Sequence, residues 1–548
     1  INISIVSIVN LTNANGSWRF GSIIENSTLN ATSYTGGGDS YYFEISDVST
    51  VNISSSVTQV NIRTTDMHGM TINANNLAAG TGAITFLGCD MWQSTFTKGT
   101  GSGISSITRV MMRDTAIISH LTGTMTLNNV QCHAGNINQN TNAGATMSLT
   151  ATHVKQGSNI SNAATGALSM TQSTAEINAV VRRVAGATGT LTVNTSTIKS
   201  NSIVSQEATS TGNTTLTQCE ILQGSVVYNR SAVTLGLTRV ILNTIAIIET
   251  NAGSAGAINV TDTIASSGST IRKNAGSTAG TLSVNSGTVL ESSSFIQTSG
   301  TGNLTVNACN LSGFSGINLT AGDRSYSFTR LVQTGVSRAN LSGTGAVTDG
   351  FSEVEMHYRG VLTVSCSGAA NNMNYCNIEG LAGAVTLSGT TGNKTMNRLK
   401  FFDGSLSVNN NPNTATYQLW TVKDSGVVNI PAHADGLIVQ YVDISNNSTL
   451  NVNKTTNNQI SNIQISNQGT YNALTGALNA TSVTVDQGVV THNGGTISNI
   501  SKRMQSTFTI NGGTQYNVHH WSNTNKTTTV SNTSKADYLG LTSLAPIL

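Results

Sequence analysis

One five-residue phrase recurs along the chain: a glycine, a small residue, an aliphatic, a small polar residue, a second aliphatic. It reads Gly123-Thr-Met-Thr-Leu127, Gly166-Ala-Leu-Ser-Met170, Gly189-Thr-Leu-Thr-Val193, Gly256-Ala-Ile-Asn-Val260, Gly280-Thr-Leu-Ser-Val284 and Gly302-Asn-Leu-Thr-Val306. Later come Gly360-Val-Leu-Thr-Val364, Gly383-Ala-Val-Thr-Leu387, Gly404-Ser-Leu-Ser-Val408 and Gly426-Val-Val-Asn-Ile430. The glycine steps are 23 residues from Gly166 to Gly189, 24 from Gly256 to Gly280, 22 from Gly280 to Gly302 and 23 from Gly360 to Gly383. A period in the low twenties marks a solenoid, in which each repeat buries its apolar face only by stacking on its neighbours.

The two aliphatics of the phrase flank one residue, so in a β-strand both point to the same side. A second apolar position follows about five residues on: Ile198 after Val193, Ile264 after Val260, Val289 after Val284 and Leu311 after Val306. A third group comes after that, as in Ile203-Val204, Ile271 and Phe295-Ile296. Helical spacing is nowhere sustained, and only 3 prolines interrupt the ladder donors. The spacing predicts an all-β fold, a single-stranded right-handed parallel β-helix of about 20–25 residues per rung. The hand follows the usual sense of parallel crossovers. The first residues, 1–80, read as an irregular N-terminal cap and first rungs, with Trp18, Phe20, Tyr34, Tyr41, Tyr42 and Phe43 as a capping group. Residues 81–510 read as the β-helix, and 511–548 as terminal rungs and a C-terminal tail.

Composition fits one long core. At 548 residues a globular chain would divide into several domains, whereas a solenoid lengthens without thickening. Charged residues are 9%, against about a quarter in ordinary soluble domains. A net charge of +2 with scattered Lys and Arg offers no concentrated basic face, so no nucleic-acid partner is expected. No apolar run reaches the ~18 residues of a membrane span, so no membrane insertion is expected.

Asparagine often follows the second aliphatic: Asn128, Asn194, Asn285, Asn307, Asn409, Asn453 and Asn511. At a bend, such residues would pass amide hydrogen bonds from rung to rung and tolerate a left-handed backbone. Cys89, Cys219 and Cys309 each fall three residues after the second aliphatic of their repeat. They are expected to be buried free thiols, several rungs apart and too distant to bridge. Cys366 and Cys376 are close enough in sequence to allow a bridge.

Paired carboxylates are the chemistry to seek on a β-helix flank. Glu353 and Glu355 would share a face if extended, about 7 Å apart, within the range of inverting glycosidases. Asp403, one or two rungs on, is the third candidate. The alternative is a solvated acidic edge beside Arg359. No His/Cys spacing suggests zinc, and no nucleotide-binding or nucleophile-elbow motif appears, so no metal or cofactor is expected.

Repeats such as Gly189-Thr-Leu-Thr-Val-Asn194 and Gly280-Thr-Leu-Ser-Val-Asn285 resemble rungs of the right-handed parallel β-helices of bacteriophage tail fibres and tailspikes, and of secreted bacterial adhesins. The resemblance covers most of residues 80–510. It implies an extracellular or virion location and a structural or receptor-binding fibre that contacts the host surface, with a surface glycan as partner. It also implies a homo-oligomer, commonly a trimer. A polysaccharide-degrading enzyme using the Glu353/Glu355 region and an adhesin or extracellular filament subunit are the alternatives. No catalytic motif of a tailspike depolymerase maps onto this chain residue by residue.

Overall fold

The chain forms two compact units, Ile1–Ser277 and Thr278–Leu548. The computed structural model describes residues 2–3, 8–11, 22–24, 27–31, 45–46, 50–53, 59–63, 66–74, 83–99, 103–140, 144–207, 211–230, 233–250 and 256–273 of the first unit. In the second it describes 281–285, 288–297, 303–319, 326–343, 348–352, 354–357, 359–366, 370–374, 377–379, 384–388, 394–397, 400–409, 415–418, 420–430, 437–453, 458–475, 478–493, 497–503, 506–511, 515–520, 527–531 and 535–537. Among these residues every regular element is a β-strand, and every strand pairing is parallel, each unit being a right-handed β-solenoid.

A rung of the first unit has three short strands, as in Ala83–Leu87, Asp90–Trp92 and Thr95–Lys98, followed one turn later by Ser105–Thr108, Met111–Arg113 and Ile117–His120. Like strands of successive rungs pair in register: Ile84 with Ser105, Met91 with Met112, Phe96 with Ile118. Alternation puts every second side chain inside, so Met125 and Leu127 of one rung, and Met147 and Leu149 of the next, are fully buried. Each such aliphatic contributes about 1.5–3 kcal/mol, and only stacked neighbours exclude the water. Four third strands already lie within residues 1–80: Ile8–Leu11, Thr28–Ala31, Thr50–Ile53 and Thr71–Ala74 pair in register. The six aromatics read as a cap lie outside the described residues.

Three corners close the rung. At the first corner, one residue takes the left-handed conformation, for example Arg109 (φ 52), Asn129 (φ 53), Thr195 (φ 48) or Gln218 (φ 53). Its N–H then points along the axis and bonds to the next rung, as Arg109 N–H does to Asn128 O at 3.0 Å. The next residue turns inward: Val130, Thr152, Ser173, Ser196, Cys219 and Val240 are all buried there. Hydroxyl and thiol serve alike. Ser196 Oγ donates to Asn194 O at 2.8 Å, and Cys219 Sγ lies 3.2 Å from both Val193 O and Thr217 O. At the second corner a buried Ser, Ala or Gly precedes the third strand, and Ser202 Oγ accepts the Ala179 N–H at 3.2 Å.

The third corner carries the loop back to the next first strand, and it holds a buried polar spine. The last inward position of the third strand is Lys98, His120, Gln139, Asn162, Arg183, Gln206, Asn229, Thr250 and Lys273 on successive rungs. All are at most 1% exposed. Several of these side chains donate to loop carbonyls: Lys98 Nζ to Gly103 O (2.6 Å), Gln139 Nε2 to Gly123 O (2.6 Å) and Asn229 Nδ2 to Val233 O (3.0 Å), while His120 Nε2 pairs with Ser105 Oγ at 2.9 Å. Beside the spine, the glycines of the repeated phrase stack on each other. A Cβ on Gly189 would lie 2.4 Å from the Gly166 carbonyl carbon, and one on Gly212 would lie 1.9 Å from Gly189 O. That closeness is why the phrase begins with glycine.

In the second unit the first and second strands often fuse, as in Leu304–Ser312 and Asn458–Ser466. There the phrase changes place. The occurrences from Gly123 to Gly302 lead into first strands, whereas those at Gly360, Gly383, Gly404 and Gly426 lead into third strands, Val361–Cys366, Ala384–Ser388, Ser405–Asn409 and Val427–Ile430.

The asparagines expected to form a ladder sit otherwise. Asn128 and Asn194 end their strands, and Asn307 lies within Leu304–Ser312, each one residue before the left-handed position, which belongs to Asn129, Thr195 and Ala308. The register sets them beside threonines: Asn128 beside Thr108 and Thr150, Asn194 beside Thr171 and Thr217, Asn307 beside Thr329. Asn409 and Asn453 lie on third strands beside Ser388 and Thr475, Asn511 lies beside Ser531, and the Asn285 carbonyl accepts from Thr288 Oγ1 at 2.9 Å. A ladder needs the same residue on adjacent rungs. Amide ladders run along the outer middle position of third strands, through Asn10, Asn30, Asn52 and Asn73 (2.8, 2.8 and 3.0 Å) and through Asn429, Asn451 and Asn472 (2.8 and 2.9 Å), and a shorter one runs at left-handed bends, from Asn467 to Asn446 (3.3 Å) to Asp424 (2.8 Å).

Candidate functional site

The second strands from Asp66–His68 to Thr174–Glu176 are three residues long with one inward side chain, so each presents two outward residues on a flat face. Inward come Met67, Met91, Met112, Cys132, Val154 and Ala175, all buried. Outward, on one column, come His68, Trp92, Arg113, His133, Lys155 and Glu176, and on the other Asp66, Asp90, Met111, Gln131, His153 and Thr174. Register spaces them about 4.8 Å apart along the axis.

The first column is a stack. The His68 ring lies on one side of Trp92, with centroids 5.7 Å apart and planes 19° from parallel. The Arg113 guanidinium carbon lies 4.8 Å from the Trp92 ring centroid, and Arg113 also reaches Asp90 at 3.7 Å. The indole is therefore engaged by its rung neighbours, and what it offers outward is a rim. Farther along, Glu176 bridges Lys155 and Lys199, each at 2.9 Å. The Lys199 hydrogen bond, followed by that of Lys155, holds the Glu176 carboxyl below its usual range.

Charge is segregated on this face. Asp66 and Asp90 stand at one end and Glu176 beyond the other. Between them the second strands over 111–155 carry Arg113, His133, His153 and Lys155 and no carboxylate. Arg109 and Asp114, at the adjoining bends, are exposed. The result is a strip of basic side chains across three rungs, whose Arg113 and Lys155 are each paired with a carboxylate on a flanking rung.

Of the carboxylates singled out from the sequence, the two that are described, Glu355 and Asp403, lie on different rungs. Glu353 lies outside the described residues. Glu355 opens the strand Glu355–His357, half exposed, 3.5 Å from His357 Nε2. Its register neighbours are Val332 and Asn377. Asp403 lies two rungs on, about 10 Å along the axis, at a left-handed bend (φ 53) where its N–H donates to Lys423 O at 3.1 Å. Two carboxylates so placed do not flank one bond. Among the described residues no group of three His, Cys, Asp or Glu could hold a metal, and no helix is long and apolar enough to cross a membrane.

Four thiols, of Cys89, Cys132, Cys219 and Cys309, are free and buried. Burial pushes the Cys132 thiol up to about 11 and that of Cys309 up to about 12. Cys376 lies outside the described residues, so the pairing with Cys366 does too. Sequence reading passed over the Trp92 face, because its residues lie some twenty apart and converge only through register. The signal was there in the short strands Asp66-Met-His68, Asp90-Met-Trp92 and Met111-Met-Arg113.

Compared with known proteins, the chain matches no family model, no curated protein and no solved structure.

Proposed function

We propose that this protein is a rigid fibre segment that recognises a surface, of the receptor-binding kind found in phage virion appendages, and that the second-strand face from Asp66 to Lys199 makes the contact. The observation that carries this reading is the aromatic and cationic strip stacked on rungs of fixed register. A face built this way is already ordered before contact, so little conformational entropy is lost on binding. An acidic host-surface glycan would compete with Asp90 for Arg113 and with Glu176 for Lys155. Exposed Ile241, Ile245 and Ile264, on adjacent rungs farther along, suit packing against further copies of the chain.

Surface plasmon resonance of the purified chain against acidic and neutral bacterial polysaccharides tests the proposal. Binding to acidic glycans that weakens about tenfold or more in Arg113→Ala/Lys155→Ala, and at high salt, supports it. Equal binding by that variant, or none across a broad panel, removes the face from consideration. Sedimentation equilibrium reads the oligomer separately, with Ile241→Ser/Ile264→Ser expected to dissociate it.

A further inference from the structure

We infer that Arg183 holds a monovalent anion, such as chloride, inside the third corner of the first unit, a site independent of the surface-recognition reading. Arg183 is 0% exposed and heads the fully buried side chains by volume. Its Nη2 donates to Ala164 O at 3.1 Å and Gly166 O at 2.8 Å. Its Nε and Nη1 are buried with no protein acceptor.

The neighbours on the spine are already committed. On one side, Asn162 Oδ1 accepts the Ala164 N–H at 2.8 Å. On the other, Gln206 Oε1 accepts from Thr214 Oγ1 at 2.8 Å, and Gln206 Nε2 donates to Gly212 O. Nor, among the described residues, does a buried carboxylate face the coil interior to balance the charge. The buried charged residues described in this unit are Lys98, Arg183, Lys273 and Glu249. Alternation turns Glu249 to the outer face, where Arg272 engages it. Burial lowers the Arg183 pKa to about 10, so the guanidinium stays charged at neutral pH.

A buried cation without a counter-charge is strongly unfavourable. Water could satisfy the two N–H groups but would leave the charge. A small monovalent anion satisfies both. A divalent oxyanion would overcompensate a single guanidinium, and a closely packed interior leaves it little room.

Two experiments on the full chain decide. The first is anomalous diffraction at the bromine edge from crystals grown in bromide. A peak within hydrogen-bond distance of Arg183 Nε or Nη1 is expected, and a water that ignores bromide overturns the assignment. The second is thermal unfolding in sodium chloride against sodium gluconate at matched ionic strength. The halide should raise Tm saturably, shifting the unfolding equilibrium about 100-fold at 100 times Kd. Arg183→Met should abolish that response, and Arg182→Met, on the outward side of the same strand, should keep it. Equal Tm in both salts for the native chain sinks the proposal whether or not the Arg183→Met variant folds.

Discussion

Third strands at 95–273 and third strands at 8–74 and 427–472 solve one problem in opposite ways. In the first set the final inward position is polar, from Lys98 to Lys273, and side chains such as those of Lys98, Gln139 and Asn229 bond to loop carbonyls inside the coil. In the second set that position is aliphatic or alanine, as at Ile53, Ala74 and Val452, and asparagines stack outside one residue earlier, from Asn10 to Asn73 and from Asn429 to Asn472. Apolar packing alone tolerates slippage along a repetitive coil. Directional hydrogen bonds penalise it, and this chain places them inside the coil in the first set and in outer amide ladders in the second.

The sharpest way to break the contrast is to deprive a loop of its donor. Gln206→Leu leaves Gly212 O and the Thr214 hydroxyl without their partner, and should cost about 3 kcal/mol in denaturant unfolding. The reciprocal change, Val452→Gln at the aliphatic inner position, buries an amide where the neighbours offer none and should cost a similar ~3 kcal/mol. If either swap is neutral, the inner position does not discriminate between the two regions.

Lys98 sharpens the contrast through pH. Burial lowers its pKa to about 8, so the unfolded chain binds the proton more tightly. Stability should therefore rise as pH climbs from about 8 to the ordinary lysine range near 10.5, by up to about 3 kcal/mol. Lys98→Met should lose that rise, read as the difference between the two pH profiles. On the outer device, Asn52→Ala removes the amide that donates to Asn30 and accepts from Asn73. It should cost about 1–2 kcal/mol, without the pH dependence. The smallest effect belongs to the surface ion ladder. Glu176→Gln should cost at most about 1 kcal/mol. Because the folded carboxyl titrates below its usual range, its contribution is complete above the ordinary glutamate value and fades as pH falls through the lowered one, so the variant should differ least in acid.

The solenoid could be read from the sequence because aliphatic pairs around one polar residue, repeated every twenty-odd positions, satisfy no other fold. The buried thiols could be read from their phase, since Cys219 takes the corner position of Ser173 and Ser196. The polar spine could not. Lys98, Gln139 or Arg183 among outward polar residues looks like a surface position until the register shows that each is the second inward residue of its strand. The third-strand amide ladders do not follow the phrase in phase, because Asn128 and Asn194 come after it on first strands while Asn10 and Asn52 sit within third strands. The Trp92 face depends on neighbours about twenty residues away, and a linear scan for close motifs cannot assemble it.

Because the same five-residue phrase introduces a first strand at Gly189 and a third strand at Gly404, splicing copies together by sequence likeness would join unlike sides of the coil. A shortened or lengthened version of this protein has to be cut at matched register points, for instance from Leu191 to Thr214, so that one whole circuit is removed or added.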